Sequence, residues 1–151
     1  MSGSVYCARC QRRHFGRYGA AGLLLLSEGH ALLTLRSAYV DQGGTWSIPG
    51  GALAPGEGPA VAAVREAREE LAGLPTLTLT GQRLTDDHGV WRYTTLVAEL
   101  EALPRLTPRN RETEAARWTP VAAVERLDRL HPAFARSWPH LAALTKEHTN
   151  V

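Results

Sequence analysis

The stretch GALAPGEGPAVAAVREAREELAG, Gly51 to Gly73, decides how the rest of the chain is read. It opens as a glycine-rich turn that ends at Pro55, Gly56 and Glu57. From about Pro59 to Leu71 the apolar residues Ala60, Val64, Ala67 and Leu71 recur at offsets of four, three and four, the pattern of one buried helical stripe. Glu66, Glu69 and Glu70 share a different face of that helix, within an arc of about 100°. With the apolar stripe roughly opposite, packing on a sheet is expected to turn the three carboxylates away from the core.

Clustered carboxylates repel one another by a few tenths of a kcal/mol per pair on an exposed helix, and more where a cleft partly desolvates them. Oxygen-only ligands with open positions suit Mg²⁺ or Mn²⁺, which are typically held by few carboxylates together with substrate phosphates. The cluster therefore reads as a phosphate-bridging metal site. Taken alone it reads equally as a solvated acidic face neutralised by Arg65 and Arg68.

The loop before the helix separates these readings. Gly51, five residues, Glu57, seven residues, then Arg65, Glu66, Ala67, Arg68, Glu69 and Glu70 resembles the Nudix box, G-x5-E-x7-R-E-U-x-E-E-x-G-U with U a large aliphatic residue. Agreement at six fixed positions has a chance of about 10⁻⁷ at a given start if each is met about once in sixteen. The chain departs where Ala72 replaces the last motif glycine, with Gly73 one place later, and where the first U is the small Ala67. The resemblance covers roughly Gly19 to Val124.

The resemblance implies a divalent-metal-dependent hydrolase, using Mg²⁺ or Mn²⁺, that cleaves the diphosphate linkage of a nucleoside diphosphate derivative and releases a nucleoside monophosphate. A nucleoside triphosphate, an oxidised nucleotide and a nucleotide sugar such as ADP-ribose are the substrate classes. Carried over by position, Glu66, Glu69 and Glu70 are metal ligands with the Gly50 carbonyl, and Arg65 orients Glu57 and the helix carboxylates. Gly51 supplies close backbone approach to substrate. The other reading is a Nudix-fold sensor that binds a nucleotide without cleaving it; the complete set of box acids argues against it.

Outside the box the assignments rest on position. The general base is either a box glutamate or an acid on a distal loop, for which Glu112 and Glu114 are the candidates, Glu112 the better placed. Arg36, ending a strand, is read as a phosphate or base contact or as a solvated strand end. Trp46, Trp91 and Tyr93 are either nucleobase walls or packing, and Trp118 is read as core in preference to a stacking platform. Asp86, Asp87 and His88 are read as a turn with exposed side chains in preference to ligands.

Working outward, Gly19 to Leu26 and His30 to Arg36 form a hairpin about Ser27, Glu28 and Gly29, and Thr45 to Ile48 form a short strand. Thr76 to Thr80, Trp91 to Leu100 and Ala115 to Thr119 add strands. Pro120 opens a short helix to about Arg126, and Pro132 a longer one with Phe134, Trp138, Leu141 and Leu144 on one side. The expected fold is α/β, a Nudix-type α/β/α sandwich around a mixed sheet, over residues 18–151, with residues 1–17 as an N-terminal arm.

A chain of 151 residues, 44% apolar, suits one globular core. A net charge of +2, from 17 basic and 15 acidic residues, is too balanced for a dedicated nucleic-acid binder and compatible with an anionic small-molecule substrate. No apolar run approaches the roughly 20 residues of a membrane span, and no secretion signal is evident, so a cytoplasmic protein is expected. Nothing in the sequence excludes a homodimer. Cys7 and Cys10 form a C-x-x-C followed by His14, half of a zinc site that a remote histidine such as His140 or His148 would have to complete. A reduced arm without metal is the preferred reading.

Overall fold

A computed structural model describes residues 3–149 apart from Arg9, without the side chains of Arg12, Phe15 and residues 147–149. The sheet is built on β3 (Ala20–Ser27) and β4 (His30–Arg36), where β1 (Ser4–Cys7) and β2 (Arg12–Phe15) make a separate preceding hairpin. Glu28 and Gly29, with φ of 47° and 76°, make the two-residue turn between β3 and β4. Positive φ at both positions is the backbone that matches strand twist in tight hairpins.

Next come β5 (Trp46–Ser47), β6 (Gly50–Ala52), α1 (Pro59–Glu70), β7 (Leu71–Ala72), β8 (Leu79–Asp87), β9 (Arg92–Glu99), β10 (Thr107–Pro108) and β11 (Thr113–Pro120). A 3₁₀ helix, Val121–Arg126, and α2 (Pro132–Thr149) end the described chain. The main sheet runs β11-β4-β3-β9-β8, with β5 added to β4 and β6 to β3. The β3–β9 pair is parallel and the other pairs are antiparallel, so the sheet is mixed.

The apolar run of β3 is continuous because both its faces are covered. Leu23 and Leu25 join the core beneath α1, and Leu24 and Leu26 the core beneath the 3₁₀ helix and α2. From α2, Phe134, Trp138 and Leu141 fill that second layer. The α/β/α sandwich expected from the sequence is the observed fold. No helix among the described residues is long and apolar enough to cross a membrane.

Several expectations are corrected. Gly50 and Gly51 form β6, because Gly50 to Ala52 find open backbone groups on β3. Thr76 to Thr78 lie outside the sheet, with Leu74 and Leu77 packed on the core without a ladder, and β8 begins at Leu79 and includes Asp86 and Asp87. The buried line of α1 runs through Ala62, Ala63 and Ala67, with Ala60 and Val64 only partly covered. Small side chains let the helix approach the sheet closely, and Ala67 is fully buried. The chain then leaves α1 directly into β7, and Gly73 takes the left-handed turn at φ 95° that the motif places one residue earlier.

Candidate metal and nucleotide site

Rotation of α1 onto its alanine line sets where the carboxylates go. Glu66 and Glu70 follow Ala62 at successive helical turns, so they enter the cleft between α1 and β6, contrary to the expected outward face. The side chain of Glu66 is 17% exposed and that of Glu69 is 52% exposed. Gly51 makes room for this packing, because a Cβ there would stand 2.6 Å from both carboxylate oxygens of Glu66.

Arg65 holds the cluster together. Its guanidinium donates to both oxygens of Glu57 at 2.8 and 2.9 Å, to Glu66 Oε1 at 3.0 Å, to Glu69 Oε1 at 3.1 Å and to the Ala52 carbonyl at 3.0 Å. Glu57 also accepts from the Ala54 N–H at 2.9 Å, which ties the loop to the helix. The Arg65 bonds, then the Ala54 bond, lower the Glu57 pKa from 4.5 to about 2. Because the folded-state pKa is depressed, this pairing stabilises the fold above pH 4.5 and the contribution is lost as pH falls towards about 2. Arg65→Gln is therefore expected to flatten the acid limb of the unfolding free energy, read by denaturant melts across that range; an unaltered limb would refute the pairing.

Glu70 lies deepest. It accepts from the Gly50 N–H at 2.8 Å and from the Thr113 hydroxyl at 3.3 Å, yet burial, aided by the Glu66 and Glu112 charges, pushes its pKa up to about 8. Burial, then the Glu69 charge, also raises Glu66. Arg68 does not neutralise this group as the solvated-face reading requires; its guanidinium donates to the Pro75 carbonyl at 3.2 Å. Glu57, Glu66 and Glu69 thus gather around Arg65, and Glu70 lies near enough to Glu66 to feel its charge, so the group carries a surplus of negative charge. An oxygen-rich, desolvated, electron-surplus cluster fits a hard divalent cation.

Glu112 reaches the same place from the other end of the sequence. Its charge is felt at both Glu66 and Glu70. The Arg109 N–H donates to the Glu70 carbonyl at 2.8 Å and the Asn110 amide to the Glu69 carbonyl at 3.2 Å, so this loop is fastened to the end of α1. A bulge between Thr113 and Ala115 brings the buried Thr113 hydroxyl to Glu70, and Glu112 and Glu114 on either side of it are both exposed.

Gly50 and Gly51 are also on the wall of a cavity of about 450 Å³. Arg13, Arg36 and Arg136 bring positive charge to it, and Trp91, Tyr93 and Phe134 bring aromatic surface. Arg36 is oriented by a bond from its Nε to the Asp41 carbonyl at 2.9 Å. His131 shares the cavity; burial, then the Arg36 charge, lowers its pKa, and its Nδ1 accepts from the Ala133 N–H at 3.1 Å at the start of α2. Sequence reasoning missed Arg13, His131 and Arg136, because no local pattern marks residues that meet only through β2 and α2. Trp46 does not line the cavity; the Arg117 guanidinium lies 5.2 Å over its ring. Trp118 packs in the core with its Nε1 donating to the Pro104 carbonyl at 2.8 Å.

The NUDIX domain model matches residues 16–141, which include every box residue. The chain belongs to the Nudix hydrolase family. A crystal structure of the Nudix hydrolase RenU from M. smegmatis superposes with a TM-score of 0.86 at 38% identity, covering 97% of this chain and 96% of that one. Among curated relatives, a putative 8-oxo-dGTP diphosphatase 3 of Mycobacterium tuberculosis is 43% identical over 85% of this chain and 63% of its own length. A nucleoside triphosphate pyrophosphatase/Nudix hydrolase fusion protein of Bifidobacterium longum is 36% identical over 96% of this chain and 32% of its own length. The chain thus spans about a third of one Nudix relative and under two thirds of the other.

Proposed function

We propose that this Nudix protein hydrolyses the diphosphate linkage of a nucleoside triphosphate or related nucleoside diphosphate derivative, releasing a nucleoside monophosphate. The observation that carries this reading is the junction at Gly50 and Gly51, where a carboxylate cluster with surplus negative charge adjoins a cavity lined by arginines and aromatic rings. The names of the mycobacterial relatives favour a purine nucleoside triphosphate, oxidised forms included.

Glu66, Glu69, Glu70 and the Gly50 carbonyl would hold Mg²⁺ or Mn²⁺. When bound, such a cation neutralises charge on the diphosphate and lowers the pKa of water. Arg65 keeps the carboxylates in register and does not itself touch substrate. Arg36, Arg13 and Arg136 bind the anionic chain, and Trp91 and Tyr93 face the base. Glu112 Oε accepts the proton of the attacking water, since its loop is fastened at the carboxylate cluster.

A panel of ordinary and oxidised nucleoside triphosphates, dinucleoside polyphosphates and ADP-ribose, with Mg²⁺ or Mn²⁺ added, tests the reading. Metal-dependent release of a nucleoside monophosphate is expected, fastest with a purine triphosphate. Tight binding without product across the panel would instead make the chain a sensor.

A further inference from the structure

The C-x-x-C takes no part in the hydrolytic cluster, and the fold brings it a histidine that neither its spacing nor α2 supplies. The β1–β2 hairpin turns so that the Cys10 N–H donates to Cys7 Sγ at 3.3 Å, and the two sulfurs stand 3.2 Å apart. Cys7 is 1% exposed and His14, on β2, is 7% exposed. Cys7, Cys10 and His14 each bring one ligand atom within 4.8 Å of the others. His88, in the turn between β8 and β9, joins them: its Nδ1 lies 2.8 Å from Cys10 Sγ although the two residues are 78 apart in sequence.

The orientation of His88 is set from behind. Its Nε2 bonds Asp86 Oδ2 at 3.0 Å, leaving Nδ1 directed at the sulfur. A carboxylate on one ring nitrogen and a ligand site on the other is the usual support of a metal-binding histidine. His140, one of the two histidines considered for this role from sequence, is exposed on α2, and the side chain of His148 lies outside the described residues. The expectation that His88 is an exposed turn residue is also corrected, since its side chain is 18% exposed.

We propose that Cys7, Cys10, His14 and His88 form a zinc site that fastens the N-terminal hairpin to the β8–β9 turn. Two sulfur and two imidazole donors select zinc over the hard cations suited to the glutamate cluster. Bond lengths of about 2.3 Å to sulfur and about 2.0 Å to nitrogen set tetrahedral donors about 3.3–3.8 Å apart, so the 3.2 Å Cys7–Cys10 and 2.8 Å Cys10–His88 separations open by less than about 1 Å, within reach of side-chain rotation. Binding takes the protons off both thiols. The site also serves the cavity: His14, His88 and Asp86 line it, and the Trp91 ring stacks on His14 at 4.2 Å and 11°. Zinc would thereby hold the aromatic wall on the arm side.

The full chain, purified reduced and without a histidine tag, is loaded with zinc, freed of excess by gel filtration and assayed for bound metal. About one zinc per chain is expected. Glu70→Gln and His140→Ala retain it, whereas Cys10→Ser and His88→Ala lose it. Cobalt in place of zinc gives thiolate-to-metal charge-transfer absorption in the parent chain. His88→Cys, which exchanges one zinc ligand for another, keeps the metal and strengthens that absorption, so the assignment is tested even if the deletion variants fail to fold. Less than about 0.1 zinc per loaded chain, or full retention by Cys10→Ser, overturns the proposal. Zinc that follows Glu70 in place of Cys10 overturns it too, by moving the ion to the carboxylate cluster.

Discussion

Replacing Glu70 by Gln is expected to lower kcat/KM by about 10²- to 10³-fold or more while the melting temperature changes little. The amide keeps the shape of the side chain and can still accept from the Gly50 N–H, the 2.8 Å bond that ties α1 to β6. With its pKa pushed up to about 8, Glu70 in the metal-free protein is already largely neutral at pH 7, so Gln reproduces the state that the fold tolerates. The substitution therefore removes the charge of a proposed metal ligand while keeping the Gly50 bond. A loss of that size corresponds to about 2.7–4 kcal/mol of transition-state stabilisation. Glu69→Gln is expected to behave alike, since its carboxylate is half exposed and bears little on packing. Steady-state kinetics at saturating Mg²⁺ beside thermal melts provide the comparison. Turnover within about threefold of the parent would remove the metal-site assignment.

Gly51→Ala should separate activity from stability in a different way. Gly51 does not need a left-handed backbone, so alanine meets no strain in φ. What it meets is the end of Glu66: the new methyl would lie 2.6 Å from both carboxylate oxygens, and a flexible side chain can yield to it at little cost. The fold should survive, with a stability change within about 1 kcal/mol. The Glu66 carboxylate would not keep its place. Displacing a proposed metal ligand by about 1 Å is expected to cost about 10²-fold in kcat/KM, accompanied by a higher Mg²⁺ requirement. A variant that matches the parent in its metal titration would show that Glu66 need not occupy the cleft.

Both experiments turn on how α1 is rotated, and this is where sequence and structure part. The spacing of Glu57, Arg65, Glu66, Glu69 and Glu70 was sufficient to recognise the family box, and that resemblance implied that Arg65 braces Glu57. Within one turn of a helix and the loop before it, sequence spacing is spatial spacing. Half of the apolar stripe was read correctly, since Ala67 and Leu71 are buried, but alanine buries as readily as valine at a close helix–sheet contact, and Ala60 and Val64 set the centre of the stripe off the buried line. With Ala62 and Ala63 buried beside Ala67, two of the three carboxylates turn from solvent into a cleft.

By itself, then, the sequence determined the helix, the order of its charged groups and a mixed sheet packed with helices, and its family resemblance implied the α/β/α layering. The first three follow from local periodicity and short connections. Tertiary structure alone decided that Arg109 and Asn110 fasten to the end of α1 and bring the Glu112 charge near it, that Arg13, Arg36 and Arg136 share one cavity, and that His88 stands against Cys10. Those meetings depend on sheet pairing and turn direction between segments dozens of residues apart. Side-chain chemistry at one position carries no record of which distant strand the fold will place beside it.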